Sequence, residues 1–189
     1  MTYYNEEQQK ILDWGLAHHP DVEKYANPRF SFAQMNVIVR GLELGLDVSV
    51  YAKPEYTAGQ MKVIMDGLRW KYDVSLYSNP KLNENKMLLI KEGISDKLDV
   101  TLYNKPEYSF TKMSTIAYCL REGLNIKPYL KKDFDHKQLI EICKGLEEKV
   151  DVKSYAKPDI PASDMAIIRR AQIGNKKVDT YYRWFCGRV

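Results

Sequence analysis

The chain repeats itself every 26 residues. Asp21-Val22, Asp47-Val48, Asp73-Val74, Asp99-Val100, Asn125-Ile126 and Asp151-Val152 open six successive repeats. A tyrosine follows on a fixed beat in each: Tyr25, Tyr51, Tyr77, Tyr103, Tyr129 and Tyr155. Isoleucine keeps the same period at Ile38, Ile64, Ile90, Ile116, Ile142 and Ile168. A fixed period in this range is the signature of a solenoid, in which each repeat packs on its neighbours. Solenoids mostly bind through extended surfaces, so the pattern points to recognition rather than catalysis.

One repeat, Asp47 to Tyr72, shows why it folds. Asp47 predicts an N-cap for a short helical turn over Val48 to Ala52. Pro54 stops that turn, because the residue before a proline is driven out of the helical region. The positions that open the longer helix read Ser31, Thr57, Asn83, Ser109 and Asp135. These differ in identity but all cap well. Met61, Ile64 and Leu68 then form one apolar stripe. Gly45 and Gly123 suit a left-handed helix end, and Lys71, Lys97 and Lys149 stand on the same beat and favour the helix C-terminus by charge. The recurring tyrosine belongs to the core, with its hydroxyl bonded to nearby backbone.

These signals predict an all-α solenoid of about six and a half helix-turn-helix repeats, each a short helix, a proline turn and a longer helix. It is read as one domain over 1–189. Residues 1–20 are an N-terminal capping half-repeat, 21–178 the six repeats and 179–189 a C-terminal cap. Tyr181, Tyr182, Trp184 and Phe185 in the tail would close the core.

Several function classes drop out. No apolar run approaches the roughly 18 residues that cross a bilayer, and the N-terminus lacks the basic start and apolar stretch of a signal peptide. The expectation is a cytoplasmic protein with no membrane partner. Three cysteines, Cys119, Cys143 and Cys186, form no CxxC, so neither a disulfide framework nor a zinc site is expected. Cys119 takes a beat otherwise held by Gly41, Gly67, Gly93 and Gly145, and reads as a small buried hydrophobe. No nucleotide, metalloprotease or serine-hydrolase motif is present. His136 and Cys143 are two helical turns apart, about 10 Å, too far for proton transfer. The chain is expected to be non-enzymatic and to carry no cofactor and no metal.

The cleanest stretches read QMxxIxxGLxxGLDVSxYAxP, as from Gln34-Met35 through Ile38, Gly41-Leu42 and Asp47-Val48 to Tyr51 and Pro54. This resembles short tandem repeats in proteins of Firmicutes, their phages and their integrative elements, over about residues 9–178. The resemblance carries no catalytic residues. It implies a phage or mobile-element origin, and proteins of that origin often act by binding, including as inhibitors of host-defence nucleases.

In a repeat protein the kept positions hold the fold, and the outward variable positions can specialise. On the long helices these are the beats of Trp14, Ala17 and His18. They place Arg40, Asp66, Arg69, Trp70, Glu92, Asp96, Tyr118, Arg121 and Glu122 in one band, acidic in its middle. Tryptophan, tyrosine and arginine are enriched at binding hot spots, and acidic groups match a basic surface such as a nuclease channel. The leading expectation is a protein partner, in its most concrete form a nuclease or nucleoprotein complex such as a CRISPR effector. The ordinary alternative is a solvated helix face with i,i+4 pairs. A second candidate is the basic end. The net charge is −1 through residue 94 and +5 after it. Arg169, Arg170, Lys176, Lys177, Arg183 and Arg188, with the tail aromatics, would suit nucleic acid. A third reading is an architectural spacer that self-associates through an exposed end.

Overall fold

Capping and periodicity decide the helices, and a computed structural model shows where they fall. It describes residues 3–131 and 133–186, with side chains in the last helix only as far as Gly174. Among the described residues the protein is all-helical. The α-helices are α1 (Glu6–His18), α2 (Phe32–Glu43), α3 (Ala58–Arg69), α4 (Glu84–Ser95), α5 (Phe110–Arg121), α6 (His136–Glu147) and α7 (Ala162–Cys186). Short 3-10 segments precede α2 to α7, such as Val48–Val50 and Val74–Leu76. The chain divides into two compact bodies, one ending at Lys97 and one starting at Leu98. In the first, α1 packs on α2, α2 on α3 and α3 on α4; in the second, α5 packs on α6 and α6 on α7.

Ser31, Thr57, Asn83, Ser109 and Asp135 cap α2 to α6, each accepting a backbone N–H three residues on. Asp47 and Asp73 cap their 3-10 segments through Ser49 and Ser75. The helix ends follow the expected geometry, Gly45 at φ 65° and Gly123 at φ 67°. Lys71, Lys97 and Lys149 also take left-handed conformations, φ 59°, 59° and 56°. The end motif therefore imposes its backbone on residues with a Cβ, against their preference.

The glutamine of the repeat has a second task that its spacing did not show. Gln34 closes the capping box of α2 and then reaches the next repeat, donating to the carbonyls of Pro54 at 3.3 Å and Tyr56 at 2.5 Å. Gln8, Gln60 and Gln138 do the same, Gln60 to Pro80 and Leu82. In α5 the position is Lys112, whose Nζ donates to the Phe134 carbonyl at 2.8 Å. These clamps satisfy loop carbonyls that burial would leave unpaired.

The core is the stripe and the tyrosines. Met61, Ile64, Met87, Ile90, Met113, Ile116 and Ile142 are fully buried, as are Tyr51, Tyr77, Tyr103 and Tyr155. The glycine beat exists for the tyrosine beat. A Cβ built on Gly41, Gly67 or Gly145 would overlap the hydroxyl of Tyr51, Tyr77 or Tyr155 respectively. Burial pushes the Tyr155 phenol up to about 12, and the Tyr51 and Tyr77 phenols up as well. The expected backbone bond holds for Tyr155, which donates to the Glu141 carbonyl at 3.2 Å, and is long for Tyr51, 3.4 Å from the Val37 carbonyl. The Tyr77 hydroxyl is buried with no partner among the described residues. Where Cys119 replaces glycine, Tyr129 is only half-buried. Gly67→Ala should therefore displace Tyr77 and lower stability by about 1–3 kcal/mol, the usual range for overpacking. Denaturant unfolding measures this, and an unchanged midpoint would show that the tyrosine shifts without loss.

The backbone of α7 is helical from Ala162 through Gly174 to Cys186, across the boundary read between the last repeat and the C-terminal cap. A lone glycine costs a helix only about 1 kcal/mol, and no proline enforces a stop. The side chains of Tyr181, Tyr182, Trp184 and Phe185 lie outside the described residues. One expectation needs correction: no disulfide was expected, yet Cys119 on α5 and Cys143 on α6 are joined by one, Cα–Cα 6.1 Å. They are 24 residues apart, two short of the period, which sets them opposite one another on consecutive helices.

Candidate protein-binding surface

In the first body the band residues lie on the outward side of the long helices. Trp70 caps the C-terminus of α3, its N–H bonded to the Asp66 carbonyl at 3.2 Å, and its side chain is 68% exposed. Packing on the next repeat, the ordinary role for such a residue, is not what it does. Arg69 beside it is exposed, as are Glu92 and Asp96, one period on from Asp66 and Trp70. Since α3 packs on α4 and the two helices are one 26-residue period apart, these four residues and Asp66 share one edge. The acidity there is lower than composition suggests. Asp66 is half-buried, with Lys91 Nζ 3.6 Å away, and Arg40 on α2 is tied to Glu43 at 2.7 Å.

The first body also carries a groove of about 360 Å³ between α1 and α2, lined by Ile11, Trp14, Asn36, Val39, Arg40 and Glu43. Trp14 stacks on His18 with ring centroids 4.4 Å apart.

In the second body Tyr118 is 43% exposed on α5, and Arg121 and Glu122 are exposed at that helix's end. The Tyr118 hydroxyl donates to Glu147 Oε1 on α6 at 3.3 Å. Glu147 is the chief cause that raises the Tyr118 phenol above its ordinary value, with burial and Glu122 adding to it. Between α5 and α6 lies a groove of about 410 Å³, at the register of the α1–α2 groove. Both are walled by an aromatic on the same beat, Trp14 in one and Tyr118 in the other. Sequence reasoning named Tyr118 as a site residue, took Glu147 as a surface charge and did not reveal the groove.

The basic candidate is placed differently. Arg169 is buried within the fold. Its Nε lies 3.0 Å from Glu141 and its Nη1 2.5 Å from Glu148, so the guanidinium cannot reach a phosphate. Arg170 is exposed. The side chains of Lys176, Lys177 and Arg183 lie outside the described residues, as does Arg188. Lys127 and Lys144, in the same basic third, are paired with Asp99 at 3.2 Å and Glu141 at 2.8 Å.

Among the described residues no three His, Cys, Asp or Glu side chains converge as a metal site, and no helix is long and apolar enough to cross a membrane. The chain matches no protein-family model, no curated protein and no solved structure.

Proposed function

We propose that this is a non-enzymatic protein-binding repeat protein whose 26-residue repeats run as one α-solenoid. The period continues without a slip through Lys97-Leu98, which supports the single array. The observation that carries the binding reading is Trp70, a large aromatic 68% exposed at a helix end, with Arg69 beside it and the acidic Glu92 and Asp96 on the adjacent helix. An isolated exposed leucine needs no explanation, but a tryptophan in an arginine and carboxylate setting is the composition of a hot spot. In its most concrete form the protein is a phage or mobile-element inhibitor acting in the cytoplasm. It docks on a basic, nucleic-acid-handling enzyme such as a CRISPR or other host-defence nuclease. The nucleic-acid alternative is weakened by the loss of Arg169 to internal ion pairs.

The test is capture of a partner from host lysate by tagged wild-type and Trp70→Ala bait, with and without nuclease. Trp70 holds nothing in the core, so the variant should melt like wild type. A protein that survives nuclease should bind the variant about thirtyfold more weakly, a hot-spot loss of about 2 kcal/mol. Equal capture by both baits would remove Trp70 from the interface. Capture that disappears with nuclease would favour the basic end.

A further inference from the structure

The groove between α5 and α6 has a chemical bias that its α1–α2 counterpart lacks. Its floor is Ile140, Thr115 and Cys143, and Ser114, which also lines it, has a buried Oγ with no hydrogen-bond partner among the described residues. Its rim holds Tyr118, Lys144 and Glu147. Lys144 is neutralised by Glu141, 2.8 Å from its Nζ. Among the described residues Glu147 is engaged only by the Tyr118 hydroxyl at 3.3 Å, a weak neutral donor. One carboxylate is therefore left without a cation, over an apolar slot and against a π face. In the α1–α2 groove Arg40 and Glu43 cancel one another at 2.7 Å.

That combination selects a side chain with a long apolar stem and a cationic head. Arginine fits better than lysine, because its planar guanidinium stacks on an aromatic ring while presenting parallel donors to a carboxylate. The same fold already uses this chemistry one seam later, where Arg169 enters between Glu141 and Glu148. We propose that the α5–α6 groove seats an arginine side chain presented by the protein partner, stacked on the Tyr118 ring and paired with Glu147. This rests on the protein-binding reading and names the partner's chemistry: a basic protein surface that offers an arginine.

The test needs no partner. N-acetyl-arginine N-methylamide is titrated into the isotope-labelled full chain, and backbone shifts are read by NMR, with N-acetyl-norleucine N-methylamide as the uncharged control. Saturable shifts are expected at Thr115, Tyr118 and Ile140. Binding should weaken about fivefold in Glu147→Gln, the upper end for an exposed ion pair, with an unchanged melting curve because Glu147 is at the surface. Norleucine amide binding as well as arginine amide, or Glu147→Gln binding as well as wild type, would overturn the assignment. So would shifts confined to other residues. Those results leave the Trp70 experiment standing. Arginine seated in the groove with equal partner capture by wild type and Trp70→Ala would instead sink the Trp70 reading alone.

Discussion

Arg169→Ala is expected to lower the unfolding free energy by about 3–5 kcal/mol, the cost of stripping one partner from a buried ion pair. The side chain is 7% exposed, and it bridges Glu141, which is 11% exposed, to Glu148 at the end of α6. Burial alone would raise the Glu141 carboxyl. Hydrogen bonds from Lys144 and Arg169 outweigh that and hold it below its ordinary 4.5. Removing Arg169 leaves a carboxylate in the α6–α7 seam with one half-exposed lysine. The pH dependence follows from the sign of the shift. A carboxyl depressed in the fold contributes its stability above its unfolded value and loses it as pH falls through the folded one. Wild type and Arg169→Ala should therefore differ most at neutral pH and converge in acid, as pH falls below the ordinary carboxyl value and Glu141 is protonated in the fold. Glu141→Leu with Arg169→Met removes both charges and should recover most of the loss, since apolar replacement of a buried pair is often neutral or better. Urea unfolding at several pH values measures all three. A loss under about 1 kcal/mol would mean that the trio is screened like a surface pair.

Which parts of this protein can be read from its sequence depends on how local the physics is. Caps, proline stops and the Met–Ile stripe are decided within one repeat, and Ser31, Thr57, Asn83, Ser109 and Asp135 all do what their residue type implies. Features that join two repeats were visible as beats but not as reasons. Glycine and tyrosine recur together because Gly67 makes room for the Tyr77 hydroxyl. Glutamine recurs because Gln60 reaches carbonyls 20 and 22 residues on. The seam position just before the Trp14 beat was not legible at all. It holds Val39 and Met65 as buried apolar contacts, Lys91 beside Asp66, Cys143 in a disulfide and Arg169 between two carboxylates. Each is a separate solution to the same helix–helix contact, so no period reveals it. Arg169 read as a surface cation for that reason. Among the candidate binding residues, the beat told which way Trp70 points but not whether a neighbour covers it. Lys91 and Glu147, which set the local charge, came from helices other than the ones they modify.

The disulfide should make the second large effect. Reducing Cys119–Cys143, or replacing both with alanine, is expected to cost about 3.5 kcal/mol. The bond closes a loop of 24 residues, and the denatured chain regains that loop's entropy when it opens. The loss belongs to the second body, because both cysteines lie there. It should also reach the groove, since Cys143 lines it between Thr115 and Ile140. Arginine amide should therefore bind the reduced protein more weakly, with Trp70-dependent capture unaffected. The cytoplasmic location proposed above sharpens the test, because reducing compartments keep most thiols unpaired. Thiol titration of native protein separates the cases before any unfolding is done. The chain has three cysteines, so protein isolated without reductant should show one reactive thiol after denaturation if the bond is present. Three thiols, or an unfolding midpoint that does not move with reductant, would mean that α5 and α6 are held by packing alone.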